Sequence, residues 1–424
     1  MRRRILPKGH FIVHAVFVLP RFYPYRGGYE NSMLAIGRCL VDRGHRVTVF
    51  TTVADDLESL WLPGHKTFPA EKLVIDGVNI RRFPVCYQRW RRRATRFAGL
   101  LPNWRLKLQY WTPAFRVPEL NEALRDIDAD VFHLGPLPYN NLMYAGLRAA
   151  EARRVPVIAT PCLHLGEPGR NDVLRHYLQP HQVVLLKHCN QVLCMTDLEG
   201  EHLERAGIAP SKLTTIGHGY DLEQATGGDP TRVLQSHAID GPVVLHLGMK
   251  AYEKGSVTLL EAMKVLWARG SRAWLVMAGP SMSSFEEYLS SQSQALTRLV
   301  NLPAFADTEK RDLLAAATVV AQPSRVESLG LVLMEAWANA KPVVAADIEV
   351  SRQLVEGSGG GIVARFGDST DLADQIEKLL ADPKLCLEMG IRGHQVARAY
   401  DGRILWPRNA EVFERLTSNA TARR

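Results

Sequence analysis

Along nearly the whole chain, short apolar runs rich in β-branched residues alternate with amphipathic helical stretches. A strand without a polar face must be covered on both sides, and the intervening helices are the only cover such a chain provides. The pattern therefore predicts α/β layers built on parallel sheets, with helices on both faces. In the first half the strand candidates are Phe11–Leu19, Arg46–Thr51, Val131–Leu134, Val157–Thr160 and Val192–Met195. Between the first two, Gly27 and Gly28 end a loop, and Met33, Leu34, Ile36, Leu40 and Val41 mark the apolar face of a helix that Gly44 stops. A strand, a glycine-rich loop and a helix in that order open a doubly wound domain.

The same opening recurs after Thr226–Pro230, where Val243–Leu247 reads as a new strand and Gly248 as a turn. Further strands are expected at Ala273–Ala278, Val319–Gln322, Pro342–Ala345 and Gly361–Ala364, with helices near 256–269, 308–317, 328–339 and 369–381. Two doubly wound domains in tandem follow: 1–215, then 216–400 after a linker near 215–240. Residues 401–424 form a C-terminal helix returning toward the first domain, with a frayed end. The 424 residues, 46% hydrophobic and 23% charged, suffice for two cores, which excludes a disordered or disulfide-stapled chain. The six cysteines show neither CxxC nor zinc spacing, which fits a reducing compartment. The basic start before an apolar run imitates a signal peptide. That run is short, carries His14 and ends at Pro20 without a small-residue cleavage site, so a buried first strand explains it better. No stretch approaches the ~20 apolar residues that cross a bilayer.

The sequence most informative about chemistry is PSRVESLGLVLMEA at 323–336, followed by Asn339, Ala340, Lys341 and Pro342. A strand ends at Gln322, Glu327 sits in the loop, and the next helix is expected to start near Ser328. Its free N–H groups and positive dipole end suit a phosphate or diphosphate. Glu335, about two turns on, has the two acceptor oxygens that a pair of vicinal hydroxyls requires. An isolated Glu-x7-Glu pair would be read as surface carboxylates, and the flanking sequence decides otherwise.

This stretch resembles the signature of retaining glycosyltransferases of family 4, PS-x-x-E-x-F-G-x-x-x-x-E-A, and departs from it at Leu329, for Phe, and at Ala340, for Gly. The resemblance extends over nearly the whole chain. Gly27, Gly28 and Glu30 look like the opening GG-x-E loop, and Arg43–Val49 looks like the RGH-x-V-x-V strand. Gly248–Gly255 looks like the G-R-L-x-x-x-K-G segment, with Lys254 at the lysine, Met249 at the arginine, and Lys250 as a neighbouring cation. His164 is similar to the histidine that reaches the transferred sugar from the N-terminal domain. His133 resembles a second family histidine, with burial at a strand end an equal alternative. Ile216–Asp221 stands where the family has a P-N-G-V-D turn. Asp126, Asp128 and Asp130 imitate a D-x-D metal motif but read as a helix-to-strand connection. Gly357–Gly361 lacks the Lys-Ser/Thr of a phosphate loop and reads as a turn.

The resemblance implies a GT-B fold, two facing Rossmann-like doubly wound domains with an interdomain cleft. It implies retaining, metal-independent transfer of a sugar from a nucleotide-diphosphate sugar, which is a co-substrate rather than a cofactor. Glu327, His164 and Lys254 are the expected catalytic residues. Gly27, Gly28, Lys250, Lys254, Glu327, Ser328, Leu329, Gly330 and Glu335 are the expected donor-binding set. An epimerase of the same fold and a non-catalytic nucleotide-sugar-binding protein stay open beside the transferase.

Residues 89–116 carry eight basic side chains and six aromatics with no acid. Arg91, Arg92, Arg93, Trp104 and Trp111 would rest on an anionic membrane surface or meet a lipid-linked acceptor. A plain basic surface is the next reading, and nucleic acid the least favoured. The expected location is the cytoplasm, with peripheral attachment to the inner face of the cell membrane.

Overall fold

The computed structural model describes residues 12–25, 27–87, 115–292 and 296–422. Arg91, Arg92, Arg93, Trp104 and Trp111 lie outside the described residues. The chain divides into two compact units. The first comprises the described parts of Met1–Leu163, Leu174–His218 and Leu405–Arg424, and the second comprises His164–Val173 and Gly219–Ile404.

The first unit is an eight-stranded sheet in the order β10-β9-β8-β7-β1-β2-β4-β3. Its strands are β1 (His14–Val18), β2 (Arg46–Thr52), β3 (Lys72–Ile75), β4 (Val78–Phe83), β7 (Val131–Leu134), β8 (Val157–Ala159), β9 (Gln191–Cys194) and β10 (Leu213–Thr215). All pairings are parallel except β3 with β4. A separate antiparallel pair joins β5 (Cys86–Tyr87) to β6 (Phe115–Arg116). The helices α1 (Gly28–Asp42), α2 (Pro118–Asp126), α3 (Asn140–Arg153), α4 (Pro180–His188) and α5 (Asp197–Arg205) connect the strands. β1 is buried along its length, as its unbroken apolar run requires.

The second unit holds six parallel strands in the order β13-β12-β11-β14-β15-β16. They are β11 (Val243–Leu247), β12 (Trp274–Ala278), β13 (Leu299–Leu302), β14 (Val319–Gln322), β15 (Val343–Ala346) and β16 (Gly361–Ala364). Around them lie α6 (Ser256–Ala268), α7 (Asp307–Ala316), α8 (Leu331–Ala338), α9 (Glu349–Ser358), α10 (Ser369–Ala381) and α11 (Pro383–Ala397). Leu259, Leu260, Met263 and Leu266 of α6 pack with Leu275, Met277, Leu372 and Ile376 into one core. Each such side chain contributes about 1.5–3 kcal/mol on burial.

The last helix, α12 (Gly402–Ala422), belongs to the first unit from Leu405 onward. Its Phe413 ring lies 5.5 Å from Phe17 and 6.0 Å from His133. Arg43 Nη1 and His45 Nε2 both reach the Glu414 carboxylate at 3.0 Å, and His45 Nδ1 accepts the Val13 N–H at 3.2 Å. The Arg-Gly-His sequence thereby ties the C-terminal helix to the start of β1. No helix among the described residues is long and apolar enough to cross a membrane.

The units differ from the sequence boundaries in one respect that bears on chemistry. His164–Val173, expected in the first domain, belongs with the second unit. Arg325 holds it there, donating from Nε to Glu167 Oε2 at 2.8 Å and from Nη2 to Asp172, while Glu349 N–H donates to the Gly166 carbonyl at 2.9 Å.

Candidate active site

In the second unit the loop after β14 and the turn before α6 are laced together. Gly255, the N-cap of α6, has φ 71°, and a Cβ there would stand 2.0 Å from the Pro323 carbonyl oxygen. Only glycine serves both demands. Arg325 N–H donates to the Glu253 carbonyl at 2.9 Å, closing the same junction. Lys254 is consequently aimed at the loop: its Nζ donates to the Val326 carbonyl at 2.8 Å and to Glu327 Oε1 at 2.8 Å.

Glu327 is largely enclosed, with 15% of its side chain exposed. Burial works to raise its carboxyl, yet the Lys254 charge and hydrogen bond outweigh it and hold the group below the usual carboxylate value. His164 completes the cluster electrostatically. Burial first, then the Lys254 charge, pushes its imidazole down to about 3, with Glu327 opposing. The ring is therefore neutral at physiological pH and presents one donor and one acceptor nitrogen. The structure thus brings Glu327, Lys254 and His164 together within one unit.

Glu335 lies on α8 and pairs with Lys310 of α7, both side chains nearly buried. Lys310 was not read from the sequence, since its place on a separate helix carries no motif. Helix α8 starts at Leu331 rather than near Ser328, because Gly330 takes the left-handed conformation at φ 80° and holds the preceding loop out of the helix. Ser328 is partly exposed in that loop, whereas Leu329 is 2% exposed and packs inward. Ser324 Oγ accepts the Val326 N–H at 3.3 Å, bracing the loop from below.

Lys250 does not join the cluster. Its side chain is fully buried, and Nζ donates to Asn301 Oδ1 at 2.5 Å and the Leu302 carbonyl at 2.9 Å. Desolvation lowers it to about 8, against a smaller opposing effect of Glu286. The expectation of a donor-binding cation at Lys250 is corrected accordingly: its ammonium is committed to the end of β13.

Gly27 and Gly28 lie in the first unit, at the start of α1. A Cβ on Gly27 would meet Glu30 Oε2 at 2.2 Å. His133 is a core residue there, bonded through Nε2 to Thr160 Oγ1 at 2.8 Å and packed edge-on against Phe17. Asp130 Oδ2 accepts the His14 N–H at 2.9 Å, and the Asp128 carbonyl meets the His14 ring, so the aspartate run serves as a connection. Asp221 caps a short helix, accepting the Glu223 and Gln224 N–H groups. Gly359 ends α9 in the left-handed region, and the Gly360 carbonyl accepts the Trp337 indole N–H at 2.8 Å, so the glycine run is a turn.

Comparison with known proteins identifies the family. Residues 27–219 match the glycosyl transferase 4-like domain and residues 232–396 match glycosyl transferases group 1. The chain is 25% identical to the phosphatidyl-myo-inositol mannosyltransferase of Mycobacterium leprae, over 95% of this chain and 97% of that protein. It is 28% identical to the alpha-D-kanosaminyltransferase of Streptomyces kanamyceticus and 30% identical to the D-inositol 3-phosphate glycosyltransferase of Kineococcus radiotolerans. Those alignments cover 50% and 57% of this chain, and the chain spans only 56% and 60% of the two relatives' own length. Among solved structures, Anabaena HepE in complex with UDP and glucose matches with TM-score 0.66 at 20% identity, over 94% of this chain and 99% of that one. Sucrose-phosphate synthase from Thermosynechococcus elongatus matches with TM-score 0.69 at 17% identity, over 96% and 99%. With two Rossmann-like units that each match a domain of the same enzymes, the chain belongs to the group 1 glycosyltransferases and has the GT-B α/β fold.

Proposed function

We propose that the protein transfers a sugar from a nucleotide-diphosphate sugar to an acceptor with retention of anomeric configuration and without a metal ion. The observation that carries this reading is the Lys254–Glu327 pair beside neutral His164. An ammonium has three donors, and two are used on the Val326 carbonyl and Glu327, so one is left for a phosphate oxygen. Charge builds on the leaving diphosphate as the glycosidic bond breaks, and a fixed cation stabilises that state more than the ground state. Glu327 would accept hydrogen bonds from donor sugar hydroxyls, Glu335 from the ribose, and His164 would meet the transferred sugar. In a retaining reaction of this kind the acceptor attacks the face the diphosphate leaves, and a diphosphate oxygen takes its proton, so no side-chain base is required. The roles of Gly27, Gly28 and the start of α8 rest on the family resemblance.

Relatives named for phosphatidyl-myo-inositol and for D-inositol 3-phosphate support a polyhydroxylated acceptor, free or lipid-linked. The deciding experiment is a thermal-shift and turnover panel of UDP-, GDP-, ADP- and dTDP-sugars on the wild type and Glu335→Ala, with and without EDTA. One nucleotide sugar should stabilise the wild type, lose its effect in the variant and turn over equally in EDTA. Stabilisation by none of them would sink the reading, and product formed without an acceptor would favour an epimerase.

A further inference from the structure

In the first unit, β1 lies between β2 and β7, and the chain leaves it through α1 toward β2, while β7 stands on the other side. The carboxyl ends of β1 and β7 therefore flank a topological switch point, where doubly wound sheets bind ligands. The β1–α1 loop brings Arg21, Tyr25 and Gly27 there, and the loop after β7 brings Tyr139, the N-cap of α3.

Arg21 is 7% exposed, yet its hydrogen-bonding needs are only partly met. Nε and Nη1 are buried without a hydrogen-bond partner, and Nη2 is 3.7 Å from Glu30 Oε1, beyond hydrogen-bond reach. The Tyr25 ring covers the guanidinium face at 3.8 Å from its centroid and its hydroxyl adds a hydrogen-bonding contribution, which still leaves Nε and Nη1 unserved. A buried cation normally has its protons satisfied, and unpaired donors of this kind ask for an oxyanion. The neighbouring phenols do not supply one: burial raises Tyr25, and it pushes Tyr139 up to about 12, so both stay neutral. Glu30 is an incomplete counterion, since burial raises its carboxyl against the Arg21 charge. Its Oε2 folds back over Gly27 at the uncapped start of α1.

We propose that Arg21 anchors a binding site for an oxyanion, the phosphate or carboxylate of the acceptor, at the β1–β7 switch point of the first unit. The word acceptor rests on the transferase reading, whereas the anion site does not. Arg21 supplies the charge and the unspent N–H groups of Nε and Nη1, and Glu30 competes with the incoming anion for the same guanidinium.

Calorimetric titration of the full chain with inorganic phosphate, and separately with acetate, tests this in the wild type, Arg21→Gln, Glu30→Gln and Lys254→Ala. One of the two anions should bind the wild type, distinguishing a phosphoryl from a carboxyl site. Its affinity should fall about tenfold or more in Arg21→Gln, from the loss of charge-assisted hydrogen bonds. It should rise in Glu30→Gln, where the competitor for the guanidinium is removed, and the binding that depends on Arg21 should persist in Lys254→Ala, where any phosphate held by the Lys254 ammonium is lost. No binding of either anion, equal affinity in the wild type and Arg21→Gln, or loss only in Lys254→Ala would overturn the proposal. Should Arg21→Gln not fold, unchanged affinity in Glu30→Gln overturns it alone. The nucleotide-sugar panel on the same proteins separates the two readings: anion binding through Arg21 with no nucleotide binding would remove the transferase and keep the site.

Discussion

Two lysines four positions apart show how a single side chain's role is decided by what surrounds it. Lys250 and Lys254 stand in the same glycine-bounded segment, where the family resemblance favours Lys254 at the motif lysine and leaves Lys250 as a neighbouring cation. Lys250 is drawn under the sheet edge because its backbone bridges to Ser281 and donates to the Pro280 carbonyl, which turns the side chain toward Asn301. Lys254 follows the turn outward and meets Glu327. Replacing Lys254 with alanine leaves the largely buried Glu327 carboxylate without its cation. We expect turnover to fall on the order of 10²–10³-fold and stability by ~1–2 kcal/mol, less than for a fully buried pair because Lys254 is a quarter exposed. Steady-state kinetics and thermal unfolding read both, and turnover within about twofold of the wild type would remove Lys254 from the mechanism. Lys310 tests the neighbouring role. Lys310→Met should weaken nucleotide binding several-fold by releasing the Glu335 carboxylate from its fixed position, whereas Glu335→Ala should abolish it. Equal affinity in Lys310→Met and the wild type would show that Glu335 is held by other means.

At the scale of elements, the apolar strands were the legible part, since a short run without polar alternation allows few alternatives. Val131–Leu134, Val243–Leu247, Val319–Gln322 and Gly361–Ala364 were expected and are found with those bounds. What escaped the sequence was amphipathic or edge structure. β4 reads VNIRRF with Arg82 buried against Glu71 and the Tyr23 carbonyl, and β13 is a half-exposed edge strand. Their pairing depends on partners far along the chain, which local periodicity does not encode. The late start of α8 has a different origin, the left-handed Gly330. Gly255 carries the corresponding burden at α6, and Gly255→Ala should cost at least about 2 kcal/mol, combining a left-handed alanine with a collision against Pro323. A lowered unfolding midpoint together with weakened nucleotide binding is expected, because the same junction aims Lys254. An unchanged midpoint would mean that the turn and the loop are not locked together.

Across the whole molecule, the sequence located two doubly wound units and the return of the C-terminal helix toward the first, but not the placement of residues 164–173 with the second. Residues 164–173 and the helix from Leu405 onward are assigned by distant partners, Arg325 for the first and Phe17, Arg43 and His45 for the second. Burial of histidine is the property both units share. Desolvation is the largest cause in each case, and it lowers His133 and His164 to about 3 and His218 and His246 to about 4. His133 and His218 belong to the first unit, His164 and His246 to the second. A histidine whose folded value is depressed binds its proton more readily in the unfolded chain. Folded stability is then full above the unfolded value of about 6.5 and is lost as pH falls toward the folded value, by up to ~1.4 kcal/mol per pH unit for each group. Glu199 acts in the opposite sense. Burial raises it to about 7 although it accepts the Leu163 and Met195 N–H groups, so its contribution is present below its unfolded value of 4.5 and is lost as pH rises through about 7. Between pH 6.5 and 5 the four histidines outweigh that single carboxyl. The unfolding midpoint should therefore be clearly lower at pH 5 than at pH 7, before the salt-bridged carboxylates of ordinary acid denaturation begin to protonate. His246→Gln, which keeps a group able to bond the Ala321 carbonyl, should flatten the dependence of the second unit. A midpoint that is level or higher at pH 5 would show that these histidines are not held neutral by the fold.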